Sequence, residues 1–187
     1  MPEELGSTER EIIAQRIRKA DELRKLGVHP YGGGQAPQHL AKDIWDRYGD
    51  LPAEEIAKDT AYFSLAGRVL AVRSFGRAAF LRLRDRSGEI QVWVKKDKVG
   101  ERDFEVFRLL DVGDIAGVGG EVTRTKTGEL TLEARTFTIL TKSIRPLPEK
   151  WHGLTDVEER YRHRYVDLIA TAGVRETFVA RARIISA

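Results

Sequence analysis

The 187-residue chain contains no cysteine, which excludes disulfides, thiolate zinc sites and a cysteine nucleophile. It also lacks any apolar run near the roughly 18 residues that cross a bilayer, so no transmembrane segment and no membrane partner are expected. The opening Met1-Pro2-Glu3-Glu4 is acidic and has no apolar core behind it. No secretory signal is therefore visible, and the cytoplasm is the default compartment. The four histidines, His29, His39, His152 and His163, show no metal-ligand spacing. Serines do not stand with a histidine and an acid in any recognisable catalytic order. Gly117-Val118-Gly119-Gly120 lacks the lysine and hydroxyl residue of a phosphate-binding loop. No catalytic residue and no metal ligand is expected here.

What the chain does have is charge concentrated in one place. Its net charge is only +3. Between Ser64 and Lys96, however, stand eight basic residues (Arg68, Arg73, Arg77, Arg82, Arg84, Arg86, Lys95, Lys96) against Asp85 and Glu89 alone. A basic stripe on a near-balanced protein suggests a polyanionic partner, although a solvated charged face has the same composition.

Residues 1–60 read as a helical lead. Thr8 and Glu11 have the spacing of a capping box, and Ile13, Ile17, Ala20 and Leu23 follow at helical intervals up to Gly27, a left-handed stop. The opposite face mixes Arg10, Arg18, Lys19 and Lys25 with Glu11, Asp21 and Glu22, as expected of an amphipathic helix docked on the barrel or of one whose basic side touches an RNA stem. A glycine-rich loop runs over His29–Gly34, a second helix over Gln38–Tyr48 ending at Gly49, and a short third from Pro52 to Lys58.

From 61 to 142 the period changes to two. Phe63, Leu65, Gly67, Val69 and Ala71 alternate as the inward side of a first strand. In a second strand Leu81 and Leu83 point in, which leaves Phe80, Arg82 and Arg84 outside. Asp85-Arg86-Ser87-Gly88 reads as a hairpin turn with its glycine at positive φ. Beyond it Ile90, Val92 and Val94 point in, with Gln91, Trp93 and Lys95 out. A helix over 101–110, a glycine-loosened strand over 114–123, a turn at Thr125–Glu129 and a strand over 130–140 complete the run. Five strands with a helix between the third and fourth suggest a mainly β fold with flanking helices, a five-stranded Greek-key barrel of the oligonucleotide-binding (OB) type. A sandwich or an SH3-like barrel fits the same strand count.

Such a barrel holds single-stranded nucleic acid with a cationic groove and aromatic platforms. Phe80 is an outward phenylalanine among arginines, a natural stacking surface. Gln91 shares its face and offers a paired donor and acceptor to a base edge. Arg68 can reach phosphates or base acceptors, as can Arg73, and Glu129 can accept from an amino or imino group. Parity leaves the facing of Arg73 and Glu129 unassigned.

The connector Thr141-Lys142-Ser143-Ile144-Arg145-Pro146-Leu147-Pro148-Glu149-Lys150-Trp151-His152-Gly153-Leu154-Thr155-Asp156 resembles that of the bacterial lysyl-tRNA synthetases. So do Arg160-Tyr161-Arg162-His163-Arg164-Tyr165-Val166-Asp167-Leu168 and the turn Lys126-Thr127-Gly128-Glu129-Leu130. The resemblance covers nearly the whole chain. It implies an anticodon-binding portion of a class II aminoacyl-tRNA synthetase: a helical region (1–60), an OB-fold barrel (61–142), a connector (143–172) and the opening of the motif 1 helix (173–187). It implies that Arg68, Arg73, Phe80, Gln91 and Glu129 read the U-rich anticodon of tRNA(Lys). It further implies that the full-length enzyme uses ATP and magnesium to form lysyl-adenylate and charge the tRNA, as a homodimer. This chain binds neither cofactor on that reading. A helix from Val174 that stops at Ala187, with Ile184 and Ile185 exposed, reads as the cut end of a fragment. The competing readings are a free-standing RNA-binding module and a general single-strand DNA binder.

Overall fold

The computed structural model describes residues 7–33, 36–148, 154, 156–171 and 173–187. The chain divides into two compact units, Met1–Arg145 and Pro146–Ala187. The first unit opens with α1 (Ser7–Lys25), α2 (Ala41–Tyr48) and α3 (Ala53–Ile56). It continues through β1 (Tyr62–Phe75), β2 (Ala78–Arg84) and β3 (Glu89–Lys95). After α4 (Lys96–Val99) and α5 (Glu101–Arg108) come β4 (Ile115–Arg124) and β5 (Leu130–Thr141). The strands close into a barrel in the order β1-β2-β3-β5-β4, with β3 and β5 parallel and the other neighbours antiparallel. That closure, with helices between β3 and β4, is the OB arrangement and excludes an open sandwich.

Alternation drives it. Leu65, Val69, Leu81, Leu83, Ile90, Val92, Val94, Leu130 and Leu132 fill the interior with essentially no exposure. The long β1 serves two partners, β4 with its first half and β2 with its second. At Gly67 a Cβ would stand 2.5 Å from the Arg84 carbonyl oxygen, so only glycine lets the strands approach there. The register then slips between Val69 and Ala71. Leu70 is the extra residue of this bulge and is buried with Val69. The slip reverses the parity beyond it: Val72 packs on the core, and Ala71, expected inside, lies opposite Arg82 on the outer side.

Other local expectations are corrected for identifiable reasons. Ser7 and Thr8 are both helical in α1, so Thr8 is a first-turn residue and not the cap. Gly27 does stop the helix at φ 74°, with the Val28 amide returning to the Leu23 carbonyl at 2.9 Å. The buried stripe of α1 is Arg16, Ala20 and Leu23, while Ile17 is 47% exposed. Arg16 takes the central place because its guanidinium donates to the carbonyls of Val112, Ser143 and Arg145. Lys19 is half-buried against Asp111 at 2.6 Å, not on a solvated face. Helix α2 starts three residues later than expected, since His39 pairs with Ser64 along β1. The Asp85 turn contains no positive φ at Gly88. Instead the Asp85 carboxylate accepts from the amides of Ser87 and Gly88, an Asx turn. Its other oxygen accepts from the Ala41 amide at 2.7 Å and so caps α2. The inserted helix is two helices, divided at Gly100 with φ 86°.

In the second unit the charged run over 157–167 lies in two helices, α6 (Val157–Arg162) and α7 (Arg164–Ala170), divided at His163. Arg160 and Arg164 both reach the buried Asp167 carboxylate. Helix α8 (Val174–Ser186) follows, with Ile184 and Ile185 exposed. Residues 149–153 and 155 of the connector motif lie outside the described residues. Among the described residues no helix is long and apolar enough to cross a membrane.

Candidate nucleic-acid interface

The outer face of β1, β2 and β3 is built from two tight hairpins. β2 and β3 are seven residues each and pair without a bulge, so the outward residues fall into rows across the sheet. One row is Arg73, Phe80, Trp93 and Glu133; the next is Ala71, Arg82, Gln91 and Thr131. The bulge at Leu70 is what brings Arg73 opposite Phe80.

In the first row the Phe80 and Trp93 rings stack, with centroids 5.3 Å apart and planes 25° apart. Phe75 stands edge-on to Phe80 at 6.3 Å. The Lys95 ammonium lies 3.3 Å from the Trp93 ring centroid and is paired with Glu133 at 2.6 Å. In the second row the Gln91 amide nitrogen donates to Thr131 Oγ1 at 2.9 Å, which orients the amide and leaves its oxygen as an acceptor. Beside it Arg82 donates to Glu129 at 2.9 Å and lies 3.6 Å from Glu89. Glu129 itself is placed by the turn, its amide donating to Thr125 Oγ1.

The five candidate residues are thus not one cluster. Phe80, Gln91 and Glu129 lie in neighbouring rows, with Arg73 at the end of the aromatic one. Arg68 stands apart: it pairs with Arg84 and Ile115 before the bulge, and its Nη1 donates to the Gly113 carbonyl at 2.7 Å. Burial holds its pKa below the ordinary arginine value, with the Asp114 charge opposing that shift.

The basic stripe is less bare than its local composition suggests. Arg82, Arg84, Lys95 and Lys96 all have carboxylate partners, and three of those acids, Glu101, Glu129 and Glu133, come from outside the stripe. Among the described residues Arg73 and Arg77 form no ion pair, and both are exposed. The uncompensated positive charge is therefore at the β1–β2 hairpin. Exposed pairs such as Arg82–Glu129 are worth only about 0–1 kcal/mol, so they exchange readily for a phosphate or a base. None of the five candidates lines the cleft of about 450 Å³ between the 28–33 loop, α5 and β5. The face that carries the candidates is an open sheet surface.

Sequence reasoning gave no role to Phe75, Trp93 or Thr131. Trp93 was detectable, since parity already put it outward on the face of Gln91. Thr131 was not, because its proximity depends on the parallel β3–β5 pair.

Comparison with known proteins agrees with this architecture. A family profile described as an OB-fold nucleic acid binding domain matches residues 63–140. A lysine–tRNA ligase of Anaeromyxobacter sp. (strain K) is 74% identical over 186 residues, which is 100% of this chain and 36% of that protein. The lysine–tRNA ligase of Moorella thermoacetica is 47% identical over 179 residues, and that of Bacillus cytotoxicus 44% over 170. These alignments cover 96% and 91% of this chain, and 35% and 34% of the respective relatives. The chain thus spans about a third of the length of the curated relatives it matches.

Proposed function

We infer that this chain, a member of the OB-fold nucleic acid binding family that matches lysine–tRNA ligases over its length, is the anticodon-binding part of such a ligase. The observation that carries the reading is one open barrel face bearing a stacked aromatic pair and, one row away, an oriented glutamine beside an arginine–glutamate pair. A base stacked on Phe80 projects its edge toward that second row. The Gln91 amide oxygen then accepts from the imino group of a uracil, and Glu129, released from Arg82, accepts from a second amino or imino group. Arg73 serves the phosphate beside Phe80. Arg68, partly engaged by Gly113, contributes the smaller share of the backbone contact.

The parent enzyme, on this reading, uses ATP and magnesium to activate lysine and esterify tRNA(Lys), as a cytoplasmic homodimer. The proposal assigns no residue of this chain to either cofactor. Among the described residues there is no group of three histidine, aspartate or glutamate side chains disposed to hold a metal ion.

The test is binding of the 187-residue chain to a lysine-anticodon stem-loop, against the same loop with its central uridine replaced, at two salt concentrations. Preference for the uridine loop at both salts is expected. Equal, salt-sensitive binding to the two loops would overturn the anticodon reading and leave a general RNA-binding barrel.

A further inference from the structure

The outer face carries three neighbouring rings, Phe75, Phe80 and Trp93, and the reading above uses one of them. Phe80 and Trp93 are half-buried and fixed: each stacks on the other, and Trp93 is held by the Lys95 ammonium, itself anchored on Glu133. Phe75 is different. It is 61% exposed, and its only ring contact among the described residues is the edge-on one with Phe80.

That exposure does not come from a loose loop. Phe75 pairs with Ala78 across a two-residue turn formed by Gly76 and Arg77. Gly76 has φ 60°, and among the described residues none other than glycine has positive φ. A positive first and a negative second position is the type II′ pattern, which matches the strand twist and holds both strand ends in register. The Arg77 carbonyl is tied in addition to the Lys96 amide at 2.9 Å. Phe75 is thus a rigidly presented, largely uncovered ring.

Two residues to either side of it stand Arg73 and Arg77, the exposed arginines that form no ion pair among the described residues. Arg73 shares the outer strand face with Phe75, and Arg77 stands in the adjoining turn, so a flat apolar ring is flanked along the chain by two exposed cations. That pattern suits one nucleotide, with the base on the ring and the phosphate on a cation. The Phe75 and Phe80 centroids are 6.3 Å apart. Their planes are inclined by 73°, so bases stacked on the two rings are steeply inclined to each other and splayed rather than stacked.

We propose that Phe75, flanked by Arg73 and Arg77, is a second base platform that takes the nucleotide next to the one on Phe80. The hairpin then engages two successive nucleotides of single-stranded RNA. The proposal rests on the RNA-binding reading of this face. The second platform is sequence-tolerant, because the ring offers a stacking surface and the arginines offer charge, with no oriented amide like that of Gln91.

The test uses the 187-residue chain and a lysine-anticodon stem-loop carrying a single abasic residue, walked through the loop one position at a time. Phe75→Ala should weaken binding to the intact loop by roughly 5- to 150-fold, the range for loss of one stacked base. Phe75→Tyr should bind as the parent does, and Phe75→Leu should lose affinity although it keeps apolar bulk. The loss caused by Phe75→Ala should vanish at one abasic position, adjacent to the position at which the loss caused by Phe80→Ala vanishes. Unchanged affinity in Phe75→Ala, full binding by Phe75→Leu, or coupling of both variants to the same abasic position would each overturn the second platform. Failure of the anticodon reading is separate, since it is seen in the unsubstituted chain as equal binding to lysine and altered loops.

Discussion

Replacing Lys142 with methionine tests the corner that ties the helical lead to the barrel. The Lys142 side chain is wholly buried, and its ammonium donates to Asp111 at 2.6 Å, Asp114 at 2.7 Å and the Leu109 carbonyl at 2.8 Å. Methionine keeps the stem and removes the charge. Asp114, also without exposure, then retains only the amides of Asp111 and Ser143, at 2.8 and 2.7 Å, while Asp111 retains Lys19. Removing one member of a buried pair costs about 3–5 kcal/mol. The two surviving amides place the expected loss near the lower end, about 3 kcal/mol. Urea denaturation of the chain, with an unchanged slope, is the assay. Lys142→Met combined with Asp114→Asn should recover only part of the loss: the buried carboxylate charge is gone, but both Asp114 oxygens accept from backbone amides, and the asparagine NH2 then faces one of those N–H donors. The acid limb gives an independent reading. Burial alone would raise the Asp111 pKa, but the hydrogen bonds from Lys142 and Lys19 outweigh it and hold the carboxyl below its usual range. A lowered folded pKa contributes stability above the unfolded value of about 4, lost as pH falls through the folded one. The variant should therefore lose stability less steeply below about pH 4 than the parent does. A loss under about 1 kcal/mol, or an acid limb as steep in the variant as in the parent, would refute this account of the buried pair.

Gln91→Ala should leave most of the affinity for the lysine loop and relax discrimination at one anticodon base; a uniform loss across altered loops would make Gln91 a positioning residue only. Arg73→Ala should reduce the slope of log affinity against log salt by about 0.7, one single-strand phosphate contact, whereas Arg68→Ala should change it less because Gly113 already engages that guanidinium. Equal slope changes would show that Arg68 leaves Gly113 when RNA binds. Asp85→Ala removes both the Asx turn and the cap on α2, and should cost about 2 kcal/mol in urea denaturation; an effect under about 0.5 would show that water replaces the carboxylate at both sites.

The parts of this fold legible in the sequence are those fixed over short separations. Phe80 and Gln91 could be placed outward because β2 and β3 are short, unbulged and joined by a tight turn, so period two holds throughout. The same rule failed on β1, where Val69-Leu70 are consecutive buried residues and the bulge between them inverts every later position. Parity therefore could not place Arg73. Helical spacing gave Arg16 no place in the buried stripe of α1, because its three carbonyl acceptors belong to segments 96 or more residues away. The stripe of positive charge was overstated for a related reason. Its count between Ser64 and Lys96 could not include Glu129 and Glu133, which reach Arg82 and Lys95 once β5 lies beside β3. That parallel pair is also what brings Thr131 to Gln91. The Arg73, Phe80 and Trp93 part of the aromatic row thus belongs to three consecutive strands, while the polar row beside it exists only when the barrel is closed. Outward aromatic residues are visible in local pattern. The group that orients the Gln91 amide is supplied by topology.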